Sequence, residues 1–312
     1  MFGIDRLHVG CAENINAITG CTVLIFDGGA RASADVRGAS PGTREIALLA
    51  PDKQTDRIDA ILLTGGSAFG LAAATGVVKF LSERDIGYPT PWKLVPIVPA
   101  AVIFDLNIGS SDTFPDERMG YDACQNAYAG GFIHGSHGAG AGATVGKWAG
   151  IGGAMKSGQG ISIYENAGIK VVAIAVVNAV GDIMDNSGRV IAGAQSNGGF
   201  RANSGGERER MMQAPAQGTN TTLVAVTTNV SLSKVELNRL AQRSHDALAR
   251  RIVPVHTGFD GDTVFAASTS EVDAKYNEVE PIIVDTVSES IIDAVTSAES
   301  IGGYASYSGL KG

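Results

Sequence analysis

GTNTTLVAVTTNV, residues 218–230, sets an Asn and two threonines between a long polar segment and a run that reads as a buried strand. Asn favours turns and Thr favours strands, so one reading is simply a loop that ends where a strand begins. The other is a self-cleaving junction, in which a threonine hydroxyl attacks the peptide bond before it and emerges as a new amino terminus. The choice depends on whether the rest of the 312-residue chain supplies partners for that chemistry.

Outward from this stretch, further apolar runs rich in Val and Ile read as strands: CTVLIF at 21–26, AILLT at 60–64, VVAIAVVNAV at 171–180 and TVFAAS at 263–268. Several are apolar on both faces, as strands inside a layered protein are. Helical patterns lie between them. Residues 68–84 carry small and apolar side chains at helical spacing after Ser67, and 231–251 opens with the capping box Ser233 and Glu236 before an apolar stripe. Further helices are expected at about 115–129 and about 286–299. Two sheets with four helices imply a layered α and β architecture. Only 191–218 is long and without periodicity, and a mobile arm there would suit a junction that must be strained, cut and opened. Neither repeats nor a linker divides the chain, so residues 1–312 read as a single domain.

Composition narrows the function. Apolar residues at 44% and charged residues at 18% describe a globular chain of enzyme size, and 41 glycines beside apolar runs indicate tight turns and close backbone packing. A net charge of −8 without a Lys/Arg cluster argues against a nucleic-acid partner. The first twenty residues lack the basic start and apolar core of a signal peptide, and no apolar run reaches the roughly 18 residues needed to cross a bilayer. A cytoplasmic protein with no membrane partner is expected. Cys11, Cys21 and Cys124 have neither CxxC spacing nor an even count, which disfavours disulfides and zinc.

Several motifs fail their own tests. HGAGAGATVGKW, 137–148, imitates a phosphate loop, but Ala141 stands where a glycine is needed and Trp148 where a magnesium-binding hydroxyl is needed. It also lacks the preceding strand and following acidic residue of a dinucleotide site. GGSAFGL, 65–71, imitates a nucleophile elbow, yet Phe69 replaces its second glycine, which leaves Ser67 as a helix cap. The five histidines form neither HExxH nor a triad, and no metal or organic cofactor is implied. In HTGFDGDTVF, 256–265, Asp260 and Asp262 stand two residues apart before a strand. They form either an aspartate-rich turn or a carboxylate pair acting on one site, able to hold a cation or a cationic amine.

These weak signals coincide in one family. The chain resembles the L-aminopeptidase/D-esterase family of self-processing N-terminal nucleophile hydrolases, and within it the nylon-oligomer (6-aminohexanoate oligomer) hydrolases. The resemblance runs from TVLIF and ILLTGGSAFGL through VPAAVIFDL, GAGATVGKW and VVNAVGDIMD to NTTLVAVTTNVSLSKVELN and PVHTGFDGDTVFA. It implies a four-layer α-β-β-α sandwich and self-cleavage between Asn220 and Thr221, leaving an α chain of 1–220 and a β chain of 221–312. It further implies catalytic roles for Thr221, Lys147, Asn178, Asp260 and Asp262, with Thr222 in support, on short linear amide or peptide substrates in a homo-oligomer of α/β units. The nylon hydrolases carry a tyrosine where this chain has Phe104, which removes a hydroxyl from the substrate side. Two other classes stay open: a self-processing acyltransferase of the ornithine acetyltransferase type, and an uncleaved binding protein with a vestigial site.

The chemistry suits these residue types. A threonine hydroxyl needs a base, and a free α-amino group with a pKa near 7.7 to 8.0 supplies one at neutral pH. Before cleavage that amine is an amide, so cutting the chain would create the base. The resemblance gives Asp260 and Asp262 the task of orienting the new ammonium, Asn178 that of donating to the oxyanion, and Lys147 that of stabilising charge on the Thr221 oxygen.

Overall fold

Alternation along residues 169–178 explains the architecture. In the computed structural model, which describes residues 2–196, 199–201, 206–212 and 220–310, these residues form a strand with two buried faces. Val171, Ala173, Ala175 and Val177 pack toward helices, while Val172, Ile174 and Val176 pack toward a second sheet. Successive side chains of a strand point to opposite faces, so a continuous apolar run requires a layer on each side.

The strands that build those layers are β1 (Leu7–Asn14), β2 (Thr19–Val36), β3 (Ile58–Thr64), β4 (Ala100–Val102), β5 (Gln159–Asn166), β6 (Ile169–Asn178), β7 (Thr221–Val230) and β8 (Thr263–Val272). The hydrogen-bonded path is continuous, but β2 divides it. Residues 21–25 of β2 pair with β1 and β3, whereas residues 31–36 pair with β8. Between these halves Gly28 and Gly29 have φ of 73° and 76°, a left-handed backbone that bends the strand and that residues with a Cβ seldom adopt. One sheet is therefore β1-β2-β3-β4 and the other β5-β6-β7-β8-β2.

Four helices complete the sandwich: α1 (Ala73–Ser82), α2 (Glu117–Tyr128), α3 (Lys234–Arg251) and α4 (Tyr276–Thr296). Val23, Ile25 and Leu62 of the first sheet pack on Val77, Phe80 and Cys124 of α1 and α2. Val224, Val226 and Val264 of the second sheet pack on Leu237, Leu240, Val287 and Ile291 of α3 and α4. Leu24, Phe26, Leu63, Leu223 and Phe265 fill the space between the sheets. Each such side chain contributes about 1.5 to 3 kcal/mol when fully buried. The four-layer α-β-β-α order is as expected, with β7 central and every residue in it buried.

Local expectations fared unevenly. The Ser233–Glu236 capping box forms at the start of α3. Ser67 does not cap its helix: Gly66 holds the cap position, and Ser67 is the first helical residue with φ of 52°. The 68–84 pattern splits into a four-residue turn and α1, and α4 begins ten residues before the expected start, where Glu278 reaches back to the Lys275 amide, and contains Pro281. Segment 191–218, read as structureless, contains short strands at Val190–Ala192, Gln195–Ser196 and Gly199–Phe200 and the helix Glu207–Met212. The rest of the expected mobile arm, 197–198, 202–205 and 213–218, lies outside the described residues. Among the described residues, no helix is long and apolar enough to cross a membrane.

Candidate active site

Strand pairing assembles the site. Asn178, the last residue of β6, is the register partner of Thr221, the first residue of β7. Both fall on the parity that faces the space between the sheets, whereas Thr222 faces the helical layer. The Thr221 hydroxyl donates to the carbonyl oxygen of Asn220 at 2.5 Å, and the residue is only 5% exposed. Asn220 itself forms a parallel bridge to Asp260, which brings the DGD turn alongside the junction.

The carboxylates are held by separate partners. Asp260 accepts from Thr257 Oγ1 at 2.5 Å, Thr257 N at 3.1 Å and Val180 N at 3.3 Å. Loss of water, and secondarily the charge of Asp262, pushes its pKa up to about 6. Asp262 accepts from the Thr222 amide at 2.7 Å and from the His256 ring Nδ1 and amide at 2.7 and 3.1 Å. Thr222 thus meets the site through its backbone, and its side chain is fully buried.

Lys147 follows a glycine turn and is half-buried. Its ammonium donates to Asn178 Oδ1 at 2.7 Å and to the Asn178 carbonyl at 3.0 Å. Loss of water lowers its pKa to about 7, against the opposing charges of Asp260 and Asp105. A lysine near neutrality can exchange a proton with a reacting oxygen at physiological pH. Asn178 Nδ2 donates to the carbonyl of Phe104 at 3.0 Å, so residue 104 contributes its main chain whatever side chain it carries.

Three supports escaped the sequence reading. His256 holds Asp262 and stacks edge-to-face on His245 at 4.7 Å, and burial followed by the charge of His256 lowers the pKa of His245 to about 4. Lys156 is fully buried and donates to the carbonyls of Gly140 at 3.1 Å and Ala143 at 3.2 Å, and to that of Ser157. The glycine-rich loop therefore turns carbonyls inward around an ammonium, the opposite polarity to a phosphate cradle. Asp105 accepts from Gly66 N at 2.7 Å and Thr19 Oγ1 at 2.8 Å beside that loop, and burial raises its pKa to about 6. The HTG spacing before DGD was the visible signal for His256. Lys156 and Asp105 left none, because their partners come from distant segments. Among the described residues, no group of three or more His, Cys, Asp or Glu is arranged to hold a metal ion.

The fold is that of the N-terminal nucleophile aminopeptidases. It matches an L-aminopeptidase D-Ala-esterase/amidase from Ochrobactrum anthropi, described as a variant of the Ntn hydrolase fold, with TM-score 0.70 and 18% identity over 96% of this chain and 86% of that one. A β-aminopeptidase from Burkholderia sp. matches with TM-score 0.71 and 17% identity over 100% and 93%. The chain belongs to peptidase family S58, whose model matches residues 3–308, and it is a hydrolase of amide bonds. Its relatives include an uncharacterized aminopeptidase of Mycobacterium leprae, 37% identical over 93% of this chain and 86% of that protein. A 6-aminohexanoate-oligomer endohydrolase of Kocuria sp. is 35% identical over 87% and 75%.

Proposed function

We propose that the chain matures by cutting itself between Asn220 and Thr221 and then hydrolyses short linear amides through an acyl-enzyme on Thr221. The observation that carries this reading is the Thr221 hydroxyl 2.5 Å from the oxygen of the peptide bond to be cut, opposite Asn178 and beside the Asp260–Asp262 pair. In the first step a bond forms from Thr221 Oγ1 to the Asn220 carbonyl carbon. The carbon–nitrogen bond then breaks, and the nitrogen takes up the proton that the hydroxyl gave up on attack to become the amine of Thr221. Water hydrolyses the resulting ester, leaving an α chain of 1–220 and a β chain of 221–312.

The freed amine, with an ordinary pKa near 7.7 to 8.0, is the base that takes the hydroxyl proton in each later cycle. Asp260 and Asp262 orient it. Lys147 stabilises charge on the threonine oxygen. Asn178, anchored on the Phe104 carbonyl, donates to the oxyanion.

Nylon-type 6-aminohexanoate oligomers are the proposed substrates, supported by the relatives that carry that activity in their names. Small peptides with a free amino end are the second class, supported by the relatives named aminopeptidases. The proposed working form is a homo-oligomer of α/β units, on the family resemblance. Its proposed compartment is the cytoplasm, consistent with three buried cysteines that form no disulfide.

The test is intact-mass analysis of purified wild type beside Thr221→Ala, followed by turnover of both substrate classes. Wild-type fragments of about 22 and about 10 kDa, with the smaller beginning TTLVAV, are expected from chain length. A wild-type chain that stays at 32.1 kDa on prolonged incubation would sink the self-processing mechanism.

A further inference from the structure

The geometry points to the backbone amide of Gly261 as the electrophilic donor of this site, acting on the carbonyl of Asn220 during self-cleavage and on the substrate carbonyl during turnover. This rests on the self-cleavage proposed above. Gly261 N–H donates to the Asn220 oxygen at 2.9 Å, and the Thr221 hydroxyl donates to the same oxygen. When Thr221 Oγ1 bonds to the Asn220 carbonyl carbon, the carbonyl electron pair moves onto that oxygen, already in hydrogen bond with Gly261. Collapse returns the pair and breaks the bond to the Thr221 nitrogen, which takes up the proton that the hydroxyl gave up on attack, and leaves the acyl group on Oγ1. A substrate acyl group is an ester of the same hydroxyl, so its carbonyl oxygen can take the same place beside Gly261.

A donor of this kind contributes most when it is fixed before reaction. Gly261 is fixed on both sides. The Asp260 carbonyl accepts from Ser40 N at 2.9 Å, and the Asp262 carbonyl accepts from Arg37 N at 3.0 Å and Gly38 N at 3.2 Å. The Gly261 carbonyl accepts from Thr263 Oγ1 at 2.9 Å. Both flanking carboxylates are buried and hydrogen-bonded. Close approach also dictates the residue type: a Cβ at 261 would lie 2.7 Å from both Thr221 Oγ1 and the Ser40 carbonyl oxygen. Such a side chain would displace the nucleophile, so glycine here serves access as well as donation.

The most conservative change removes the N–H and keeps the chain length, and it also weakens the Asp260 carbonyl that accepts from Ser40 N. Translation of the full chain with glycolic acid in place of Gly261 exchanges the amide for an ester. The same exchange at Gly38, whose amide serves only the Asp262 carbonyl, deletes a hydrogen bond without touching the scissile carbonyl. Cleavage at Asn220–Thr221, followed by mass spectrometry, is expected to slow by on the order of 10²- to 10³-fold for the 261 ester and to stay near the wild-type rate for the 38 ester. Cleavage of the 261 ester at the wild-type rate, or equal slowing or equal loss of folding at both positions, would overturn the assignment. An uncut wild type would instead overturn the self-cleavage it rests on. A second measurement needs no reaction: in Thr221→Ala the isotope-labelled Asn220 carbonyl stretch should move to higher wavenumber when position 261 is an ester, and an unmoved band would also overturn the assignment.

Discussion

Lys147 donates to both the side-chain and main-chain oxygens of Asn178, at 2.7 and 3.0 Å, which ties the glycine-rich loop to the end of β6 directly opposite Thr221. One strand end thereby joins Lys147, through Asn178, to the proposed nucleophile Thr221, which lies far from it in sequence. Its consequences can be measured.

Lys147→Met keeps the stem and removes the ammonium. We expect kcat/KM for an oligoamide to fall by on the order of 10²-fold, the size of losing one stabilising donor at a developing oxyanion. Lys147→Arg should not restore it, because a guanidinium stays charged and cannot exchange the proton. Wild-type rates in either variant would remove Lys147 from the chemistry.

Stability should track pH with a definite sign. Lys147 loses its proton near 7 in the folded chain and near 10.5 when unfolded, so between these values the unfolded chain binds more protons and stability rises with pH. The stabilisation of Lys147→Met relative to wild type should therefore be greatest at or below pH 7 and shrink toward pH 10.5. Asp260 behaves in reverse: the folded chain retains its proton up to about pH 6 and the unfolded chain only to about 3.8, so stability falls as pH climbs through that window. Asp260→Asn should become more stable relative to wild type across it. Thermal melts of the uncut Thr221→Ala background read both, and flat differences would contradict the burial argument.

His256→Leu removes the ring donor from Asp262 and should cost about 1.5 to 3 kcal/mol by chemical denaturation, as expected for a hydrogen bond to a charged group. His256→Asn offers a donor near the position of Nδ1 and should recover a substantial part. Equal loss in the two variants would mean that packing against His245, rather than the bond to Asp262, is what matters.

Phe104→Tyr adds the hydroxyl that the family resemblance gives to this position in the nylon hydrolases. Because Asn178 is anchored on the carbonyl of residue 104, self-cleavage should keep its rate. Preference between 6-aminohexanoate oligomers and aminoacyl amides should shift by about fivefold, the equivalent of one net hydrogen bond of about 1 kcal/mol. Unchanged preference across a substrate panel would free position 104 from any part in selectivity.

Much of this protein was readable from its residues. Uninterrupted apolar runs at 171–177 and 223–226 demand cover on both faces, and that alone requires stacked layers. Thr221, Lys147, Asn178, Asp260 and Asp262 were singled out by the family resemblance that their motifs carry; local composition by itself left the Asn-Thr-Thr junction and the aspartate pair open and gave Lys147 and Asn178 no role. Strands β1 and β5 were not foreseen, because their polar and apolar residues mix without a clean period. The fold of β2 at Gly28 and Gly29 was hidden because a strand that passes from one sheet to another looks, in sequence, like any long strand.

Local pattern determined which residue types were available: a threonine after an asparagine, a lysine after glycines, two aspartates in step. Only the tertiary structure decided that Asn178 lies opposite Thr221, that His256 rather than another histidine grips Asp262, and that the amide of Gly261 meets the carbonyl of Asn220. The reason is physical. Propensity and periodicity act over a few residues, whereas strand register and the loss of water around Lys147, Lys156 and Asp260 exist only once distant segments have packed together.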